Sequence, residues 1–533
     1  MSLVKKFATV GSGTMLSRVF GFAREMMMAA ALGTGPVAEA FYAAFQFPNT
    51  FRRLFAEGAF NAAFVPLFAK EIEANGVAGA KKFSEEVFGV LFTVLLLLTI
   101  AMELAMPFVI RYAIAPGFAN DPEKLLLTVE LAAIMFPYLI CMSLGAMMAG
   151  MLNSLHRYFA AAIAPVFLNI ILVGVLVVAW YGGYDGREVG LALGWGVLAA
   201  GVVQLGIVFV AVRGAGVSIG FRRPRLTPNV KRLLWLALPA AITGGITQIN
   251  TLVGTAIATG QDGAVPSLNL ADRVYQLPLG IVGVAVGVVL LPELARALRA
   301  GNRVEAANLQ NRSVEFTLFL TLPAAAALFT IAEPIVRVLY ERGAFLPEDT
   351  LVVSEVLAIF GIGLPAFVLI KAFTPGYFAR EDTRTPMIFA GISVAVNISV
   401  ALLLFPSMGA PGIATASAVA GWINATLLFT VLVRRGHWGS DAGLLKRAPR
   451  ILVASALMGG AIHLAVSYMQ PQFAPETPFY IQAAALAAVV AGGMVFYFAS
   501  VFGLGGADMG MIRRNVKRKQ GTPSGGDQNN DPV

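Results

Sequence analysis

Four arginines sit where an apolar helix least tolerates them. Arg18 and Arg24 fall in SRVFGFARE (17–25), and Arg52 and Arg53 in NTFRRLFAEGAF (49–60). A charge at the centre of a membrane helix costs roughly 2.5–3.5 kcal/mol even on the lenient insertion scale. Such side chains must face protein or a water-filled cavity rather than lipid. Guanidinium groups make planar, forked hydrogen bonds to phosphate and carboxylate, so the pattern predicts an anion site inside a bilayer. Arg18, Arg24 and Arg52 are the residues expected to touch that anion, with Ser17 beside them.

Other charges could support or gate the same cavity. Glu39 opens the second apolar segment near its outer rim. Arg53 and Glu57 stand at i and i+4, a good spacing for a structural salt bridge, and that reading competes evenly with a cavity role. NLADRVYQLPLG (269–280) repeats the theme, with Asp272 and Arg273 about 10 Å below the outer surface by helical rise. Either Arg273 faces the cavity while Asp272 fixes another helix, or the two close a bridge of their own. Lys371 is a further deep cation, placed to help bind the anion or to pair with Glu355. On an unbroken helix Arg18 and Arg24 diverge by about 120°; a bend at Gly21 would let them converge.

The elements that position these residues are membrane spans. The chain is 57% hydrophobic and 13% charged, with a mean hydropathy of +0.75, which excludes an ordinary soluble protein. Apolar stretches long enough to span, roughly 20 residues each, recur about fourteen times. They centre near 7–32, 38–69, 84–110, 125–152, 159–180, 189–212, 233–259, 265–295, 313–339, 351–378, 386–405, 409–433, 449–469 and 479–502. The intervening connections are too short for a soluble catalytic domain. The single cysteine excludes an internal disulfide, the histidines lack metal-ligand spacing, and no Walker motif is present. With the N-terminus inside, nearly all the Lys and Arg outside the spans fall in cytoplasmic segments, leaving only Arg111, Lys124, Arg187 and Arg342 in outer loops. That follows the positive-inside rule and puts both termini in the cytoplasm. The net charge of +9 is then topology and needs no nucleic-acid partner.

The chain also repeats itself. PFVIRYAIAPGF (107–118) resembles PIVRVLYERGAF (334–345), Asn169 corresponds to Asn397, and Gly33 corresponds to Gly260, at a spacing of about 227 residues. An even number of spans per repeat gives two parallel bundles, a recurrent transporter plan. The expected architecture is an all-α polytopic membrane protein of about 14 transmembrane helices: two pseudo-symmetric six-helix lobes plus two additional C-terminal helices. The boundaries are an N-terminal lobe at 1–215, a second lobe at 216–435 preceded by a basic linker, spans 13–14 at 436–510, and a basic then disordered tail at 511–533. An interfacial helix near Pro228–Arg232 is expected to lead into the seventh span.

SRVFGFARE, FPNTFRRLFAEGAFNAAFVPLFAKE, APGF, ADRVYQLPLGIVGVAVGVVLLPELAR and KAFTPGYFAREDTRTP together resemble the MurJ (MviN) family of bacterial lipid II flippases. That family belongs to the multidrug/oligosaccharidyl-lipid/polysaccharide exporter superfamily. The resemblance implies a non-enzymatic flippase of the cytoplasmic membrane, moving an undecaprenyl-pyrophosphate-linked peptidoglycan precursor outward by alternating access. It implies lipid II, membrane lipids and the cell-wall synthesis machinery as partners, and a lipid-tail groove at spans 13–14. The family's cavity arginines match Arg18, Arg24, Arg52 and Arg273. Glu39 stands where an aspartate is expected, and Gln46 where some relatives carry lysine. Gly254 stands where some relatives carry an acid that helps hold sodium, so no cofactor or metal is assigned. Membrane potential and an ion gradient both stay open as energy sources. The competing readings are an exporter of another polyprenyl-linked oligosaccharide and a multidrug or cation antiporter of the same superfamily.

Overall fold

The computed structural model describes residues 3–53 and 60–506, and every regular element among them is helical. The described part of each apolar stretch lies in a helical segment, and ten segments are long and apolar enough to cross a membrane. The chain is an all-helical, multi-pass membrane protein. Helices satisfy their own backbone groups, the condition for any chain crossing a bilayer core. Glu57 and everything after 506, including the basic tail, lie outside the described residues.

Several boundaries differ from those read off hydropathy. The second and third spans share α3 (Phe60–Val109), which breaks at Gly76, where φ is +63°. The fourth span is two helices, α4 (Pro122–Met135) and α5 (Tyr138–Ser154), parted at Pro137. The ninth ends early: α10 (Arg303–Thr330) stops at Ile331, and Pro334 lies in the first turn of a separate short helix, α11 (Ala332–Tyr340). The expected interfacial helix is instead the first turn of α8 (Pro228–Ala258), capped by the Thr227 hydroxyl. Pro at the first helical position loses no intrahelical hydrogen bond, so it starts α8 without cost.

By contacts the chain divides into two units. The first comprises Met1–Leu277, Ala332–Gly363 and Thr383–Leu427. In it α1 (Leu3–Leu32) packs along α6 (Tyr158–Gly182), α6 on α7 (Gly186–Gly214), α2 (Pro36–Arg52) on α4, and α8 on α13 (Arg384–Met408). The linker before α8 is pinned to α3: Glu85 accepts from Arg222 Nε at 2.6 Å and from the Gly220 amide at 3.2 Å, and Glu86 accepts from the Thr227 hydroxyl at 2.9 Å. The second comprises Pro278–Ile331, Leu364–Asp382 and Leu428–Val533. There α15 (Ala442–Tyr468) packs on α10 and α16 (Phe479–Gly503). Asp441 caps α15 through the Leu444 amide and also pairs with Arg312. Burial opposes its ionisation, but the amide and the guanidinium outweigh it and hold this carboxyl below its usual range.

The sequence repeat has a structural counterpart inside the first unit. Ala344 donates its amide to Ala30 O at 2.8 Å, docking the α11–α12 loop on the end of α1, where α12 spans Pro347–Phe378. A Cβ on Gly33 would lie 2.4 Å from Ala344 O, and one on Gly343 would lie 2.2 Å from Ala30 O. Both glycines also have positive φ, +58° and +61°, so two backbones touch where no side chain fits. In the other half Gly117 sits on the end of α8, its amide donating to Thr259 Oγ1 at 3.1 Å. Each half's Pro-Gly-Phe (116–118) or Gly-Ala-Phe (343–345) motif thus clasps the first helix of the other half.

Candidate functional site

α1 is continuous from Leu3 to Leu32, so Arg18 and Arg24 keep separate directions. Gly21 faces the Asn169 side chain of α6, whose nitrogen would lie 3.4 Å from an added Cβ. From there Asn169 donates to the Ser17 carbonyl at 3.0 Å and accepts from Arg24 Nη1 at 3.1 Å. Arg24 is 5% exposed and also pairs with its neighbour Glu25. Its Nε is buried with no hydrogen-bond partner among the described residues.

Glu25 is the hub. It is 0% exposed, accepts from Arg24, from the Tyr42 hydroxyl of α2 at 2.6 Å, and from Arg273 Nε at 3.1 Å. Arg273 reaches it from α9 (Ala264–Arg299). The Arg273 side chain is 44% accessible, so it is open on one side while it holds Glu25 on the other. Asp272 does not close a bridge with Arg273. It accepts from Gln276 and has Arg273, Arg53 and Glu25 as its charged neighbours.

The remaining expected residues scatter. Arg18 is exposed, with no polar partner among the described residues. Arg52 donates Nε to Asn49 Oδ1 at 2.9 Å on its own helix, and Arg53 is exposed at the end of α2. In the second unit, Lys371 is exposed on α12 with no ion-pair partner among the described residues. Glu39 belongs to a separate cluster at one end of the bundle. Lys124 of α4 donates to Glu39 Oε2 and to Asp262 Oδ1, both at 2.6 Å, and the Gly263 amide donates to Glu39 Oε1. That cluster joins α2, α4 and the α8–α9 turn.

Sequence reasoning passed over Glu25 and Lys124. The signal for Glu25 was an acid inside the arginine motif itself; for Lys124 it was a lone cation two residues after Pro122. At Gly254 the space a Cβ would fill is open. Nearby, Asn397 donates to Asn250 Oδ1 at 2.8 Å and accepts from Ser417 at 3.3 Å. No group of three or more His, Cys, Asp or Glu side chains gathers among the described residues.

The family model described as "Lipid II flippase MurJ" matches residues 28–483. A probable lipid II flippase MurJ from Rhizobium meliloti (strain 1021) is 71% identical over 518 residues, covering 97% of each chain. Another from Rhizobium tropici is 62% identical, covering 98% of each. The lipid II flippase MurJ of Burkholderia cenocepacia is 33% identical, covering 87% of this chain and 90% of that one. Among solved structures, a lipid II flippase MurJ in an inward closed conformation superposes with a TM-score of 0.75 at 25% identity, covering 96% of this chain and 99% of that one. An inward-facing multidrug resistance transporter of the MATE family gives 0.66 at 15% identity, covering 80% and 97%, a likeness of fold alone.

Proposed function

The chain belongs to the lipid II flippase MurJ family, and on that premise we propose that Arg24 and Arg273 carry the pyrophosphate of its cargo. The protein is a lipid II flippase of the bacterial inner membrane, a transporter rather than an enzyme. The observation that carries the proposal is two arginines from α1 and α9 converging on one fully buried acid. Glu25 holds in advance the place of a phosphate oxygen.

The chemistry follows from charge. Arg24, Arg273 and the neighbouring Arg53 against Glu25 and Asp272 leave one positive charge uncompensated, which favours an arriving pyrophosphate. The unsatisfied Arg24 Nε offers one more donor to an arriving oxygen. Arg273, facing the cavity, meets the headgroup first and leaves Glu25 to do so. Exposed Arg18, with Arg52 and Arg53, lies along the approach.

We place the end bearing Glu39, Lys124 and Asp262 at the outer face, with both termini in the cytoplasm. Two six-span lobes would then rock about the closed outer clasp, with spans 13–14 holding the lipid tail. No ATP or sodium step is assigned, and the membrane potential is the proposed drive, worth about 2.3 kcal/mol per charge per 100 mV. The antiporter alternative rests on fold likeness alone and expects acids rather than an excess of arginine.

The test is lipid II appearance in the outer leaflet of cells that depend on this protein, at matched membrane levels of each variant. Arg24→Ala and Arg273→Ala are expected to abolish it. Full activity in both would overturn the role assigned to the cluster. Absence of translocation by the unaltered protein, with export of another polyprenyl-linked sugar, would move the cargo to that class.

A further inference from the structure

Two chambers open sideways from the first unit at the end of the bundle that carries Glu39 and Lys124. One, of about 570 Å³, is walled by the Ala23–Ala31 face of α1, the end of α6 with Trp180, Tyr184 beyond it, and Arg342 and Ala344 of the α11–α12 loop. The other, of about 510 Å³, lies between the Ile249–Ile257 face of α8 and the segment from Val109 to Pro116. The sequence repeat relates them: each is bounded by the first helix of one half and the clasping motif of the other.

Their chemistry differs. The second chamber is apolar throughout, and Ala115 occupies the position equivalent to Arg342. The first pairs an Ala- and Met-lined floor with a cation and two amphipathic rings at one rim. Trp180 is 72% exposed and Tyr184 49%, the arrangement that settles at a headgroup boundary. Arg342 donates to the backbone oxygen of Val338. Partial burial lowers its guanidinium's affinity for a proton, so an anion beside it would be stabilising.

We propose that the α1–α6 chamber binds an anionic bilayer phospholipid, with its phosphate on Arg342 between Trp180 and Tyr184 and one acyl chain along Ala23–Ala31. Ala344, docked on Ala30, forms part of the chamber wall, so an occupant there would brace the clasp. The α8 chamber, lacking the cation, takes acyl chains without regard to headgroup.

The experiment reconstitutes the full chain in vesicles of phosphatidylcholine and phosphatidylglycerol, with one lipid at a time brominated. Quenching of Trp180 is read as the difference between the unaltered protein and Trp180→Phe. Brominated phosphatidylglycerol is expected to quench at about fivefold lower mole fraction than brominated phosphatidylcholine, the effect of one cation near an anionic headgroup. That preference should vanish in Arg342→Ala and in Ala31→Phe, which fills the chamber, and survive in Arg342→Lys. A reporter in the other chamber, Ile249→Trp in the Trp180→Phe background, should show no preference.

Equal quenching by both lipids at Trp180 would mean bulk annular lipid and overturn the site. Persistence of the preference in Arg342→Ala would do the same. Relief of quenching by equimolar lipid II would make the occupant the cargo rather than a bilayer phospholipid, and would overturn the assignment.

Discussion

Around Glu25 one acid is shared by two arginines; around Lys124 one cation is shared by two acids. Both clusters join helices from the two halves of the repeat, and both bury their central group to within a few per cent of zero exposure. The sign of the remainder separates them. The first keeps a surplus positive charge with Arg273 accessible, and so invites an anion. The second is overall negative and is reinforced by the Gly263 amide. On the proposed function, equivalent ion-pair chemistry serves binding in one place and latching in the other.

Four changes would break or sharpen this contrast. Glu25→Gln has the largest expected effect. Unpairing buried charges costs about 3–5 kcal/mol, so flipping should fall by two orders of magnitude or more. Binding of undecaprenyl pyrophosphate to the purified protein should tighten, because a competing carboxylate is gone. Weaker binding would mean that Glu25 only holds the arginines in place.

Lys124→Met comes next. It strands Glu39, which is 1% exposed, at a cost of about 3 kcal/mol. Amide exchange at Gly263, whose N–H rests on Glu39, should then accelerate roughly a hundredfold. An unchanged rate would show that the cluster is no latch. Asn169→Ala should cost about 1–2 kcal/mol by removing one bond to Arg24 and one to Ser17, read as a lowered thermal midpoint and a several-fold loss of transport. A normal midpoint and normal transport would remove Asn169 from the site.

Asp262→Asn is the smallest. The Asp262 side chain is 95% exposed, and solvent-exposed pairs are screened. Gly263 exchange should rise only a few-fold, and less at high salt. An effect equal to that of Lys124→Met would put the latch in the exposed arm instead of the buried one.

The contrast also marks what a sequence reveals. Arg24 and Arg273 announce themselves because a charge in an apolar run is costly, and the helices follow from length and hydropathy alone. Glu25 does not: nothing around it in the chain points to a distant partner, and only the fold brings Arg273 to it across 248 positions. Lys124 counts as a loop cation until Asp121 caps α4 and turns the residue inward in the first turn. The breaks at Gly76, Pro137 and Ile331 escape because hydropathy averages over a window and is blind to backbone angle.

The reciprocal clasp has a consequence for how force is distributed when that end of the bundle parts. Ion pairs act over distance, decaying as 1/r, so Lys124 goes on pulling Glu39 after their contact is lost. The backbone seats of Gly33 on Ala344 and of Gly117 on Thr259 have no such reach; a separation of an ångström or two ends them. Opening is therefore brittle at the clasp and elastic at the ion pairs. Because the two seats are interchanged between the halves, neither can be released without loosening its twin.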